Sequence, residues 1–391
     1  MSHPLISHNA DLQQLRNEGY EIRVLNNHLI IDSVPYVGPD QSLRFGSLVS
    51  VLDLSGNKTL RPSHHIAFFI GEHPCNKHGS PIESIRHSER NQNLGSNLVV
   101  NRSFSNKPSG GYRDYHHKMT RYIEIISAPA KSINPELDAR TFKPVVDNEE
   151  GSVFNYNDTN STRSHFAAIN EKLKNHKIGI IGLGGTGSYI LDFVSKTPVA
   201  EIHLFDGDIF CQHNAFRAPG APPLKTLLEK PKKVDYFSLI YSNMHKGIVA
   251  HSVYLSEDNF SLLDDLDFIF VSVDKGGIKG QLFRYLDKKS KSFIDVGMGI
   301  QTTGDSLMGI IRTTTSTPAL RGHVGKYVSL ADTEEDVYSS NIQIAELNAL
   351  NASLAVVKWK KLLHFYLNQE NENNLTYTLS TDQLDGSDPN P

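Results

Sequence analysis

The stretch Lys177-Ile178-Gly179-Ile180-Ile181-Gly182-Leu183-Gly184-Gly185-Thr186-Gly187-Ser188 decides how the second half of the chain folds. A short apolar run of strand length ends on clustered glycines, and Ser188–Ser195 then begins a helix. In that order, the glycines let backbone N–H groups approach a phosphate closely, and the helix N-terminus adds partial positive charge. The loop alone does not name a ligand, because dinucleotide dehydrogenases share it and a ligand-free strand–helix turn has the same outline.

Reading forward, Glu201–Phe205 is the next strand, and Asp206 ends it 24 positions after Gly182. A carboxylate there hydrogen-bonds ribose hydroxyls. The segment beyond it separates phosphate chemistry from hydride transfer. Asp206-Gly207-Asp208-Ile209-Phe210-Cys211-Gln212-His213-Asn214-Ala215-Phe216-Arg217 precedes a lysine-rich helix start, Lys230-Pro231-Lys232-Lys233. An amide donor, a guanidinium and an ammonium together neutralise charge developing on a triphosphate, and hydride transfer has no use for them. Further strands are expected at Asp267–Val273, Phe293–Val296 and Met308–Arg312, and a long helix at Ile342–Leu367. Alternating strands and helices predict an α/β fold with a mostly parallel sheet.

The order and spacing of these residues resemble the adenylation domain of the superfamily that includes ThiF, MoeB and the ubiquitin-activating enzymes. The resemblance covers roughly 161–367 and implies a Rossmann-like ThiF-type domain that binds ATP and Mg2+. It implies that Gly182, Gly184, Gly185, Gly187 and Ser188 cradle phosphate, that Asp206 holds ribose, and that Asp208 completes the strand end. Asn214 and Arg217 would hold the phosphates and Lys232 the α-phosphate side, with Lys233 competing for that role. Asp274, in Phe270-Val271-Ser272-Val273-Asp274, takes the place of the magnesium ligand, and Lys279 stands where the family often has Arg. Arg163 takes the place of an arginine that reaches the neighbouring protomer's nucleotide, which implies a homodimer. The implied chemistry is adenylation of the C-terminal carboxylate of a ubiquitin-like protein, with pyrophosphate as the other product.

Ubiquitin-activating enzymes then transfer the acyl group to a cysteine where the chain leaves a late strand. Here that segment is Ile311-Arg312-Thr313-Thr314-Thr315-Ser316-Thr317-Pro318, and no cysteine follows Cys211. Either the reaction stops at the acyl adenylate, or a hydroxyl, with Ser316 the choice, accepts the acyl group as an oxyester. The plain reading of Ser316 is ordinary Ser/Thr/Pro loop chemistry. Cys211 reads as a small semi-buried residue. Cys75, in His73-Pro74-Cys75-Asn76-Lys77-His78, reads as a turn, a partial metal cluster or an activated thiolate.

Outward from this core, residues 1–150 carry short apolar runs between Gly, Pro, Asn and His clusters, which predicts a smaller mixed α+β, strand-rich accessory or docking domain. It resembles an uncharacterised module fused to ThiF-like domains in bacteria. Its aromatics Phe104, Tyr112, Tyr115 and Tyr122 suit either a protein-binding surface or a core. Residues 151–160 read as a linker, 161–368 as the adenylation domain and 369–391 as a polar, frayed tail. A formal charge of −4 argues against a nucleic-acid-coating role. No apolar run reaches the roughly 18–20 residues of a membrane span, and no secretory signal opens the chain. Two cysteines, Cys75 and Cys211, fit a reducing cytoplasm.

The expectation is therefore a cytoplasmic, bacterial, homodimeric activating enzyme that works with a conjugating-type partner enzyme. Sulfur-carrier or cofactor-biosynthesis adenylyltransferase, and a non-catalytic scaffold binding nucleotide and carrier, are the alternatives.

Overall fold

The computed structural model describes residues 2–144, 151–164, 166–273, 276–330 and 342–387. Backbone contacts divide the chain into two compact units, Met1–Glu150 and Gly151–Pro391.

In the first unit, alternating apolar residues build a six-stranded antiparallel sheet, whose longest strands are His28–Val37 and Leu43–Val51. Leu29 and Ile31 pack with Leu48 and Phe69 in one cluster, while Ile30 and Val49 enter another, as a two-residue repeat requires. The helix Tyr115–Ile133 contributes Tyr115, Met119, Tyr122 and Ile126 to the first cluster. Asp114 caps it, its Oδ1 accepting the His117 N–H at 2.7 Å. The aromatics Phe104, Tyr112, Tyr115 and Tyr122 are no more than 2% exposed, so they are core and not a docking surface.

In the second unit, five strands run parallel: β1 (Lys177–Ile181), β2 (Glu201–Phe205), β3 (Ile248–His251), β4 (Phe268–Val271) and β5 (Ser292–Thr303). Antiparallel strands β6 (Ser306–Ser316), β7 (Asn374–Thr378) and β8 (Gln383–Ser387) extend the sheet, giving the order β3-β2-β1-β4-β5-β6-β7-β8. The helices that bear on function are α1 (Gly185–Val194), α2 (Gln212–Ala215), α3 (Lys233–Tyr241), α4 (Gly276–Lys288) and α5 (Ala345–Leu362). Ile178 and Ile180 of β1 pack with Ile190 and Leu191 of α1 and Trp359 of α5. Ile181, Ile269 and Val271 enter a separate cluster with Leu282 and Leu286 of α4. From β1 the chain steps outward to β2 and β3, then returns to lay β4 on the other side of β1. Ligands of open α/β sheets bind at the carboxyl ends of the strands beside such a reversal.

Three expectations are corrected. The crossover expected as a loop at 311–318 is largely strand: β6 runs through Ser316 and pairs with β5 along its whole length. The expected tail supplies β7 and β8, because its alternating Leu375 and Tyr377 fit a strand and the β6 edge offers unpaired backbone groups. The expected linker is packed within the second unit. The Asn155 N–H donates to the Met244 carbonyl at 2.9 Å, the Lys246 N–H donates to the Val153 carbonyl at 2.7 Å, and Phe154 meets His245 edge-on. Polar side chains hid both segments, since main-chain pairing needs no apolar residue.

Candidate functional site

At the end of β1, Gly182 takes φ +86°, and a Cβ there would stand 2.4 Å from the Ser272 carbonyl oxygen. A Cβ on Gly187 would meet the Gly182 oxygen at 1.9 Å, so these two glycines let the turn close on itself. Gly184 is the N-cap of α1, which leaves the first N–H groups of the helix facing the strand ends. These strand ends bound a cavity of about 510 Å³, lined among others by Gly182, Gly184, Gly185, Thr186 and Asp206.

Asp206 ties the turn to the end of β2. One of its oxygens accepts the Leu183 N–H at 2.7 Å and the other the Asp208 N–H at 2.8 Å. Lys233, 6% exposed at the start of α3, stands 2.8 Å from Asp208 Oδ2 and 3.5 Å from Asp206 Oδ2. Its neighbour Lys232 is exposed and donates to the Gly207 carbonyl at 2.7 Å. Both lysines line a shallower outer recess, and Lys233 alone of the two also lines the main cavity. The Tyr254 hydroxyl donates to Asp208 Oδ1 at 2.6 Å, and this bond to a carboxylate pushes its own pKa up.

Asn214 sits on α2, where its Oδ1 accepts the Cys211 N–H at 2.8 Å in a capping arrangement. The acceptor end is thereby used, and the Nδ2 donor is buried with no partner among the described residues. The Nε of Arg217 is likewise buried without one. Both residues line the outer recess, and Arg217 reaches the main cavity as well. Two orphaned donors beside a lysine and a helix N-terminus suit an anion with several oxygens.

Other expected residues fall elsewhere. Ser188 is fully buried and spends its hydroxyl on the Gly185 carbonyl at 2.8 Å, so it packs α1 and does not face the cavity. Gly187 shapes the turn without lining the cavity. Ser316 is fully buried at the end of β6, its hydroxyl without a partner among the described residues, and it lines neither recess. An acyl acceptor needs access, so the structure does not support that role. Lys279 is committed to the buried Asp295 at 2.9 Å, and Arg312 meets the other oxygen of Asp295 at 2.6 Å. Cys75 is buried, which raises its thiol pKa, and its sulfur meets the His73 carbonyl. No group of three or more metal-ligating side chains occurs among the described residues. Asp274 and the side chain of Arg163 lie outside the described residues.

Sequence reasoning missed Thr186, Tyr254 and Gln343, which line the cavity, and Asn348, which holds its wall. Tyr254 comes shortly after β3, so its place beyond a strand end was a usable signal. Nothing local marks Gln343 or Asn348.

Comparison with known proteins gives a match to the ThiF family over residues 159–389 and to a domain of unknown function, DUF6791, over residues 10–159. Among solved structures, Escherichia coli MccB with MccA-N7isoASN aligns at 15% identity, over 60% of this chain and 72% of that one, with a TM-score of 0.47. PaaA aligns at 16% identity over 57% and 76%, with a TM-score of 0.45. The microcin C7 biosynthetic enzyme MccB in complex with N-formylated MccA aligns at 15% identity over 73% and 80%, also at 0.45. No curated protein matches. Among the described residues no helix is long and apolar enough to cross a membrane.

Proposed function

The chain belongs to the ThiF family, and from that premise we propose that it is an ATP-dependent adenylyltransferase that activates the C-terminal carboxylate of a ubiquitin-like protein. The observation that carries this reading is the set of donors at the strand ends: the α1 N-terminus, the Asn214 Nδ2 and Arg217 Nε that have no partner among the described residues, and the Lys233 ammonium. A carboxylate oxygen attacks the α-phosphorus of ATP, an O–P bond forms, and the bond to the β-phosphate bridging oxygen breaks to release pyrophosphate. The nucleophile is already ionised, so catalysis is positioning and charge neutralisation, with no general base required.

In this assignment the glycine turn cradles phosphate, Asp206 receives the ribose, and Asn214 and Arg217 hold the phosphate chain. Lys233 faces the α-phosphate, while Lys232 holds the Gly207 carbonyl and keeps the loop in place. Asp274 would hold the magnesium ion, which would supply charge neutralisation for the departing pyrophosphate. Arg163 reaches the nucleotide of a second protomer in a homodimer. The burial of Ser316 favours a reaction that stops at the acyl adenylate. The absence of cysteines suited to zinc or persulfide favours handing the activated carrier to a conjugating-type enzyme, in a bacterial ubiquitination-like pathway, over sulfur transfer.

The test is exchange of labelled pyrophosphate into ATP with a ubiquitin-like protein added. Exchange that requires the carrier supports the reading, whereas nucleotide binding without exchange identifies a scaffold. Asp274→Ala is expected to abolish exchange while the circular dichroism spectrum stays unchanged, and retained exchange would move the metal to another carboxylate.

A further inference from the structure

Helix α5 carries two fully buried asparagines one turn apart, Asn348 and Asn351, on a face that packs against α1 and the sheet. Asn348 touches both halves of the phosphate-binding machinery. Its Oδ1 accepts the Thr186 hydroxyl at 2.9 Å in the first turn of α1, and its Nδ2 donates to the Arg217 carbonyl at 3.3 Å. It also fills the space above Gly185, where a Cβ would come within 2.0 Å of Nδ2. A buried amide whose two ends are both satisfied fixes the relative place of the segments it joins, because moving either strands a polar group away from water.

We infer that Asn348 is a positioning residue of the nucleotide site, holding the Arg217 backbone against the glycine turn so that guanidinium and turn amides meet one polyphosphate. The inference rests on the phosphate role proposed for Arg217. Asn348 does not line the cavity, so it acts through Thr186 and Arg217 and not on the nucleotide itself. Asn351 makes the same kind of bridge to another lining residue, accepting the Thr313 hydroxyl at 3.1 Å and donating to the carbonyl of Gly297, which lines the cavity, at 3.0 Å.

Calorimetric binding of ATP and of AMP to the full chain tests this, using Asn348→Leu, Arg217→Ala and the double variant. Leucine is of similar size and removes both hydrogen bonds. Arg217→Ala is expected to weaken ATP about tenfold or more, the worth of a lost charge-assisted hydrogen bond. Asn348→Leu should weaken ATP by about tenfold and AMP by less than about twofold, and the double variant should be no weaker than Arg217→Ala alone. Additive losses, or equal weakening of ATP and AMP, would reduce Asn348 to a merely structural residue and overturn the inference. Unchanged ATP binding in Arg217→Ala would instead remove the phosphate role beneath it. Thermal unfolding monitors folding. Should Asn348→Leu not fold, Asn348→Asp keeps the acceptor for Thr186 and sets an oxygen against the Arg217 carbonyl. It must then show the same ATP-selective loss, and equal losses for both nucleotides would refute the proposal.

Discussion

Asn214 shows how one side chain divides its work. Its carbonyl oxygen is consumed in capping α2, and its amide NH2 is buried with no partner among the described residues, the donor that the proposed reaction assigns to phosphate. Asn214→Asp preserves the shape and the capping acceptor but replaces the donor with a charged oxygen that repels phosphate. Pyrophosphate exchange is expected to fall by about two orders of magnitude or more, the effect of losing a donor to developing charge in a dry site. The melting temperature should stay near that of the wild-type chain, and a large drop in it would show that the cap, not the donor, matters. That Asp206, Asn214, Arg217 and the lysine pair lie around the strand ends was readable from residue type and spacing. Which lysine enters the main cavity was not, because adjacent residues straddling a helix start face different ways only once α3 is docked.

The C-terminal hairpin shows what composition conceals in a secondary-structure element. Asn-, Gln- and Asp-rich sequence suggested a loose end, yet Thr376 pairs with Arg312 and Leu375 with Thr313, and Asn374 Oδ1 accepts the Thr314 hydroxyl at 2.7 Å. Truncation after residue 368 would bare the edge of β6. At ~1 kcal/mol per lost ladder bond the second unit should lose on the order of 3 kcal/mol or more in a denaturant titration. An unchanged midpoint would mean the hairpin is not part of the cooperative fold. Helix α5 carries the same lesson. Its apolar positions were legible at helical spacing, but nothing in the sequence marked Asn348 and Asn351 as buried.

Across the whole chain, the two units have separate cores and should answer to pH in different windows. In the second unit His245 is fully buried: Nε2 donates to the Val199 carbonyl and Nδ1 accepts the Gly247 N–H, each at 3.0 Å. Burial lowers its pKa from 6.5 to about 4. Between these values the unfolded chain binds a proton that the folded one refuses. The second unit should therefore lose on the order of 3 kcal/mol as pH falls from about 6.5 to about 4.

In the first unit Lys118 is buried, donating to Ser50 Oγ at 2.9 Å and to the His64 carbonyl at 2.8 Å, and burial lowers its pKa from 10.5 to about 8. The sign of the linkage is the same but the window differs, so the first unit should gain stability as pH rises from about 8 towards about 10. The buried Tyr115 and Tyr122, whose hydroxyls are pushed far up by burial, oppose that trend above about pH 10. Calorimetry across pH should move two transitions separately, and Lys118→Met should flatten the alkaline one alone.

Strand–glycine–helix order, the carboxylate at the end of β2 and the Asn-x-x-Arg spacing followed from the amino-acid sequence, because each is a local relation between residues a few positions apart or repeats at the period of a helix or strand. The bridge from Asn348 to Thr186 and Arg217, the burial of Ser316 and the pairing of the last strands belonged to the folded molecule. They join segments far apart in the chain, or set one strand beside another, and no spacing in a linear chain records which distant backbone a side chain will meet.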